Sequence, residues 1–374
     1  MKKIITYTLL FVILFSCSKD ELNVLPPNTI WEKELYRGND DQQFNNIEQN
    51  SYALQNTPDN GFVVALNEEL RKYSAEGDSL WQKSYTQPIK AIQKINNEEY
   101  LLCGNTEDQI WIAKTNADWD VIWETQFDFE ASQPPFIKAI AIGNDGYYLA
   151  FRIGQNENAR SRLYKVNLNG NLAWEKQFIS QKSIEIHSMK INSAGNLFAV
   201  GGANRNSTYT TKPWFAQIDN NNGSILKEEI FEDKDIIIDD RDKYEHFSSI
   251  QERSNGDFIL LINSDYNSDV IILNEANEIQ YRNDLRSSNF HSMTPIKDNH
   301  WLLLNQGNHD NYCFAKLDDN GHRIWQLRFS EISDFGEILP RYGISTCQLT
   351  DGNYILLSQT YNRDAYFITK IEQD

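Results

Sequence analysis

The chain has 374 residues and a formal net charge of −18, which becomes −20 when Lys2 and Lys3 of its first sixteen residues are set aside. A surface so acidic repels nucleic acid and anionic membrane, so neither is expected as a general partner, and any recognition of anions has to be local. Beyond Cys17 the cysteines are Cys103, Cys313 and Cys347, an odd number scattered through apolar runs with no Cys-x-x-Cys or His-rich spacing. They read as small buried hydrophobes, and neither a disulfide framework nor a resident metal or cofactor is expected.

The first elements are a targeting segment and a linker. Lys2 and Lys3 precede an apolar run, Ile4 to Phe15, broken by Thr6, Tyr7 and Thr8 and shorter than the roughly 20 residues that a bilayer span needs. "LFSC", Leu14 to Cys17, resembles the lipobox of bacterial lipoproteins, with Leu14 three places before the cysteine and small Ser16 next to it; Phe15 is bulkier than that family shows. The resemblance implies removal of residues 1–16, a lipid on Cys17 and anchoring in an outer membrane. "SKDE", Ser18 to Glu21, is similar to the tetrapeptides that mark surface-exposed lipoproteins of Bacteroidota. An ordinary cleaved secretory signal is the plainer alternative. Residues 17–28 then form a short linker, and residues 29–374 a single domain.

"TIWEKEL" at Trp31 is the first copy of a recurring phrase. It returns as "SLWQKSY" at Trp81, "VIWETQF" at Trp123, "LAWEKQF" at Trp174, "ILKEEIF" at Lys227, "IQYRNDL" at Tyr281 and "RIWQLRF" at Trp325. Four places on stands Leu35, Tyr85, Phe127, Phe178, Phe231, Leu285 or Phe329, and an even separation keeps both positions on one face of a strand. Between copies lie three more strand signals, such as "IKAIAIG", "GYYLAF" and "RLYKVNL", bounded by turn signals such as "NDG", "LNG" and "TDG". Four strands in each of seven units, with 42 to 54 residues between anchors, predict an all-β fold: a seven-bladed β-propeller of four-stranded antiparallel blades around a central channel. Length alone would predict two or three domains; the repetition overrides it.

The last unit stops at Asp374 after its third strand. "NTIWEKEL", Asn28 to Leu35, is the strand it lacks, delivered from the other end of the chain. Closing the ring this way removes two exposed sheet edges, whereas an open solenoid would leave them bare and need capping units. The phrases "AKTNADWDVIWETQF", "YKVNLNGNLAWEKQF" and "AKLDDNGHRIWQLRF" resemble the repeats of quinoprotein-like (PQQ-type) propellers, in which a turn glycine is followed by a tryptophan that docks on the neighbouring blade. Lys227 and Tyr281 at the tryptophan position, and Trp119 in place of the turn glycine, depart from that pattern and weaken any link to the cofactor-binding enzymes of the family.

In such a ring the first-to-second and third-to-fourth connections are tight turns on one rim. The other rim carries the longer segments Phe151 to Leu163, Gly201 to Trp214, Phe231 to His246 and Phe329 to Gly343, where a partner is expected. Aligning the first strands gives a small residue in all seven blades, Ala53, Ala91, Ala139, Ser188, Ser249, Ser292 and Ser345, preceded by Tyr52, Lys90, Lys138, His187, Ser248, His291 and Ile344. The second set is expected at the channel mouth on the long-loop rim. Its basic members point to a pocket for an anionic group, such as a uronic acid, a phosphate or a partner's carboxylate; pairing with nearby Asp and Glu is the structural alternative. The acidic run from Glu228 to Asp242 lacks Asp-x-Asp-x-Asp-Gly spacing, so it reads as a solvated face before it reads as a Ca²⁺ site. Tyr209, Trp214, Tyr266 and Tyr361 are candidates for stacking on sugar or for packing at strand ends.

No Gly-x-Ser-x-Gly elbow, Gly-rich phosphate loop or His-Glu-x-x-His occurs. The leading expectation is therefore a monomeric, lipid-anchored, non-catalytic propeller that binds a protein or an anionic glycan on its long-loop face. The alternatives are an outer-membrane assembly scaffold, which lipidated quinoprotein-like propellers provide, and a lyase or hydrolase in which Lys90, Lys138, His187 and His291 neutralise an acidic polysaccharide and one histidine acts as base.

Overall fold

The computed structural model of the chain describes residues 27–37, 53–106, 108–129, 135–154, 160–178, 183–205, 210–231, 245–264, 267–285, 290–305, 312–332, 338–360 and 365–373. Among these, the strands form six four-stranded sheets and one five-stranded sheet, antiparallel throughout. Each sheet is a blade. The inner strands are Leu54–Asn56, Ala91–Lys94, Phe136–Gly143, Ser183–Ile191, His246–Glu252, Phe290–Ile296 and Ile338–Gln348 for blades 1 to 7. Each blade packs on the next, and the seventh packs back on the first, so the ring is closed. This is the seven-bladed propeller that the repeats predict.

Burial explains the strand signals. Second strands such as Phe62–Leu66 and Tyr354–Thr360 are buried at every position, because a blade is covered on both faces by its neighbours. Outer strands have one covered side, and from Ile122 to Asp128 exposed and half-buried residues alternate. The core lies between blades. Ala91, Cys103 and Ile112 of blade 2, for example, meet Ile137, Tyr147 and Tyr164 of blade 3.

Thr29–Arg37 closes the ring as the outer strand of blade 7, pairing antiparallel with Ala365–Ile371. Glu32 on this strand accepts from Thr369 Oγ1 at 3.0 Å and lies 2.8 Å from the guanidinium of Arg341, while Lys33 reaches Asp78 of blade 1 at 3.0 Å. The seam is thus latched on both sides. The fifth strand of that sheet, Ser330–Ile332, pairs antiparallel with the start of Ile338–Gln348, so the described part of Phe329 to Gly343 is mostly strand. The segments Phe151 to Leu163 and Gly201 to Trp214 are also mostly strand. Their polar residues masked the strand periodicity, and the connections are shorter than the sequence implied.

The recurring phrase has one structural job. Trp123 Nε1 donates to the Leu168 carbonyl at 3.1 Å and Trp174 Nε1 to the Asn220 carbonyl at 3.0 Å, each in the third-to-fourth turn of the next blade. Lys227, where a tryptophan is missing, sends Nζ to the Ala276 carbonyl in the equivalent turn at 3.2 Å. The residue before each anchor (Ile30, Leu80, Ile122, Ala173, Leu226, Gln280 or Ile324) drops out of the ladder as a bulge. That displacement accounts for the exposure of Ile30, Leu80, Ile122 and Leu226. Opposite the anchor stands a third-strand residue, Lys72, Lys114, Lys165, Lys316 or Lys370 in five blades. Four of these lysines reach a carboxylate at the turn rim: Lys72 to Asp59 at 2.6 Å, Lys114 to Glu99 at 2.7 Å, Lys165 to Asp145 at 2.6 Å and Lys370 to Asp351 at 3.1 Å.

Candidate functional site

The inner strands enclose a cavity of about 810 Å³ along the propeller axis. Its lining includes Lys94, Lys138, Lys190, Lys297, His187, His246 and His291, with Ser, Thr, Asn and Gln between them; among the described residues it includes no Asp or Glu. In a chain of net charge −18 the channel is a positive exception, and low-dielectric walls strengthen its field.

The column of candidates has a common backbone origin. In blades 3, 4, 5, 6 and 7 the inner strand skips one residue in pairing with the second strand, and the skipped residues are Lys138, His187, Ser248, His291 and Ile344. In blade 2, Lys90 N and the register of Ala91 both address Cys103, which is the same bulge. A bulge re-aims one side chain out of the ladder, and the small residue that follows lets the backbone turn against its neighbours. Lys138, His187, Ser248 and His291 line the cavity, whereas half-buried Lys90 does not. Tyr52 and Cys17 lie outside the described residues, as do Tyr209, Tyr266, Tyr361 and residues 232–244 of the acidic run. Trp214 is no stacking platform. It is fully buried in its blade, with Nε1 donating to Glu228 at 2.7 Å. Cys103 and Cys347 are buried thiols, as expected, with burial raising both pKa values; the side chain of Cys313 is outside the described set.

The mouth holds a network that sequence inspection missed. Glu185 Oε1 lies 3.0 Å from Arg152 Nε and 3.6 Å from His187 Nε2, and the His187 ring meets the His246 ring edge-on at 4.5 Å between centroids. Burial works against a charged Glu185, but hydrogen bonding to His187 and the charges of His187, Arg152 and Lys138 outweigh it and hold the carboxyl at about 2. Burial, with His187 and Lys138 adding to it, pushes His246 down to about 3. Burial and Lys138 push His291 down to about 4. Both rings are therefore neutral at pH 7, and neither ring nitrogen of His291 meets a hydrogen-bond partner among the described residues. His246 and Glu185 belong to no repeat column; their only signal was their position two residues before a bulge, at Ser248 and His187 respectively. No group of three or more His, Cys, Asp or Glu among the described residues is arranged to hold a metal ion.

No family model and no curated protein sequence matches this chain. Solved structures do match its shape. A chain of the mitotic checkpoint complex aligns over 99% of this chain and 100% of its own length, with a TM-score of 0.61 at 11% identity. The Pan2 WD40 domain of Neurospora crassa aligns over 87% of this chain and 90% of its own, with a TM-score of 0.52 at 10% identity. At such identities the likeness is one of fold, the propeller. A protein of unknown function from Bacteroides caccae covers 66% of this chain at 15% identity, with a TM-score of 0.31 that bears on nothing further.

Proposed function

We propose that this propeller is a non-catalytic binding module that takes an anionic group of a glycan or protein partner at the long-loop mouth of its channel, and that a lipid on Cys17 tethers it to an outer membrane. The observation that carries this reading is the lining, which includes no Asp or Glu among the described residues; Lys138 supplies the charge, neutral His246 and His291 with Ser248 supply hydrogen-bonding groups, and Glu185 behind the mouth is engaged by Arg152 and His187. The closing strand supports the tether. Its first residues pair at the turn rim, where Glu372 N donates to the Asn28 carbonyl, so a chain leading from Cys17 enters opposite the mouth and leaves the mouth facing away from the membrane. The eleven residues Ser18 to Asn28 span at most roughly 40 Å, which keeps the propeller near its anchor. Of the bases a lyase would draw on here, His291, at about 4, titrates too low to serve near neutral pH, as does neighbouring His246 at about 3.

Affinity electrophoresis tests the mouth. Polygalacturonate or polyglutamate in the gel should retard the protein, neutral polysaccharide should not, and Lys138→Ala should abolish the retardation. Equal retardation by neutral polymer, or none by either acidic one, would sink the reading. The tether is tested separately, since Cys17→Ser should release the protein from the membrane fraction and abolish incorporation of labelled palmitate.

A further inference from the structure

The opposite end of the channel carries a second positive tier. Lys94 of blade 2 and Lys190 of blade 4 line the same cavity near the turn rim, three and two residues beyond the small inner-strand position. The third-strand lysines of this protein show its habit with buried ammonium groups: Lys72, Lys114, Lys165 and Lys370 each have a carboxylate within 3.1 Å. Lys94 and Lys190 break that habit. Neither Nζ meets a hydrogen-bond acceptor among the described residues. The one carboxylate near Lys190, Glu252, already accepts from the backbone N and hydroxyl of Ser193 at 2.7 and 2.6 Å. Both lysines are half-buried, and burial lowers their pKa values, with the charge of Glu252 offsetting part of that at Lys190.

The groups around them are already fixed. Gln55 donates to Asn56, Asn56 to the Gln348 carbonyl, Gln348 to the Gly352 carbonyl and Gln251 to the Met293 carbonyl, so this tier is tied from blade to blade and rigid before a ligand arrives. The side chain of Gln93, next to Lys94 in the strand and also lining the cavity, has no hydrogen-bond partner among the described residues and remains a donor for an incoming oxyanion. Blade 3, between the two lysines, offers Ala141 and Ile142 to the cavity, and blade 4 adds Ile191. Two separated ammonium groups flanking an apolar strip suit two acidic groups on a short carbon body better than one inorganic ion.

We propose that the turn-rim half of the channel is a separate site for a small organic dianion, held by Lys94 and Lys190 with Gln93 as a further donor. It shares no residue with the mouth, so it stands or falls independently of the partner-binding reading. Calorimetric titration of the folded chain with glutarate, with inorganic phosphate and acetate alongside, tests it. Glutarate should bind saturably, and because hydrogen bonds to charged groups are lost, Lys94→Gln with Lys190→Gln should weaken it by about tenfold or more. Lys138→Ala, which should abolish retardation by polygalacturonate, should leave glutarate binding unchanged. The proposal is overturned if the double variant binds glutarate as the parent does, if acetate or phosphate binds as tightly as glutarate, or if none of the three gives saturable heat. In the unsubstituted chain, labelled by reductive ¹³C-methylation, glutarate should move the Lys94 and Lys190 resonances and leave those of Lys72, Lys165 and Lys370 in place; the reverse pattern overturns it as well.

Discussion

Trp31 donates its indole N–H to the carbonyl of Ala75 at 3.3 Å, joining the first strand of the propeller to a turn 44 residues on. Its ring also lies against Gly77, where an added Cβ would come within 2.8 Å of Cη2. The contact makes blade 7 continuous with blade 1. Trp31→Ala should therefore destabilise the whole ring, by about 2 to 4 kcal/mol given that the ring is half-buried and full burial gives 3 to 5, as measured by denaturant unfolding. A variant with the parent's midpoint would place the seam elsewhere.

The seam has an electrostatic latch as well. Arg341 is buried, lies over the Phe367 ring with 3.5 Å to its centroid and meets Glu32 of the closing strand at 2.8 Å. Removing one partner of a buried pair leaves the other uncompensated. Glu32→Ala should destabilise by about 1 to 3 kcal/mol, and Arg341→Met should be less harmful than Arg341→Ala because its stem still covers Phe367. If the two variants lose the same stability, the latch rather than the packing carries the contact.

Two glycines with the same backbone conformation should respond differently to alanine. Gly170 has φ +87° and a Cβ there would stand 2.7 Å from the Trp123 ring; Gly195 has φ +83° and nothing within 4 Å. Gly195→Ala should cost about 1 to 2 kcal/mol for the left-handed conformation alone. Gly170→Ala should add roughly 1 to 3 kcal/mol for overpacking and should lower the thermal midpoint further. Equal effects would mean that the tryptophan does not dock on this turn.

The missing turn of blade 7 leaves a trace in blade 6. Trp325 is buried against Tyr354 and its Nε1 has no acceptor among the described residues; the third and fourth strands of blade 7, Ala365–Ile371 and Thr29–Arg37, are not consecutive, so no turn between them presents a carbonyl. Trp174→Phe loses a hydrogen bond to Asn220 and should cost about 0.5 to 1.5 kcal/mol more than Trp325→Phe. The opposite order, read from denaturant midpoints, would contradict this picture of the ring.

Much of this fold was legible because the tryptophan phrase reports its own spacing, and a strand with one covered side must repeat its apolar residues at even intervals. The seam followed from the same phrase at Trp31. The bulges were not legible, since an extra residue in a ladder leaves no mark on composition, although the column Lys138, His187, Ser248 and His291 recorded them without explaining them. The lysine and carboxylate pairs of the turn rim were also missed. Lys165 and Asp145 are 20 residues apart, and only the hairpin brings them together. Trp214 takes the packing alternative, since it lies buried within Thr210–Ile218, a strand whose polar start hid its full length.

Stability should depend on pH in two steps. His246 and His291 titrate near 6.5 when unfolded and at about 3 and about 4 when folded, so below about pH 6.5 the unfolded chain binds protons that the folded chain refuses. Stability is full above that pH and falls as pH drops toward 4. Glu185, held at about 2 against an ordinary 4.5, and Asp59, Asp145 and Asp351, whose hydrogen bonds outweigh burial and lower their pKa values, add a second loss below about pH 4.5. Replacing both histidines by glutamine should flatten the step between pH 6.5 and 4.5 in a series of urea titrations and leave the acid step. An unchanged upper step would show that these rings are charged in the folded protein.

Backbone amide exchange with and without an acidic oligomer tests the central claim most directly, since it reports where on the ring a partner's anion sits. Oligogalacturonate or oligoglutamate should slow exchange at the long-loop ends of the inner strands, around Lys138 and Ala139, His187 and Ser188, and His291 and Ser292, and should leave Lys33, Lys83 and the turn rim unaffected. Protection confined to the outer strands or the turn rim, or none with either oligomer, would contradict it.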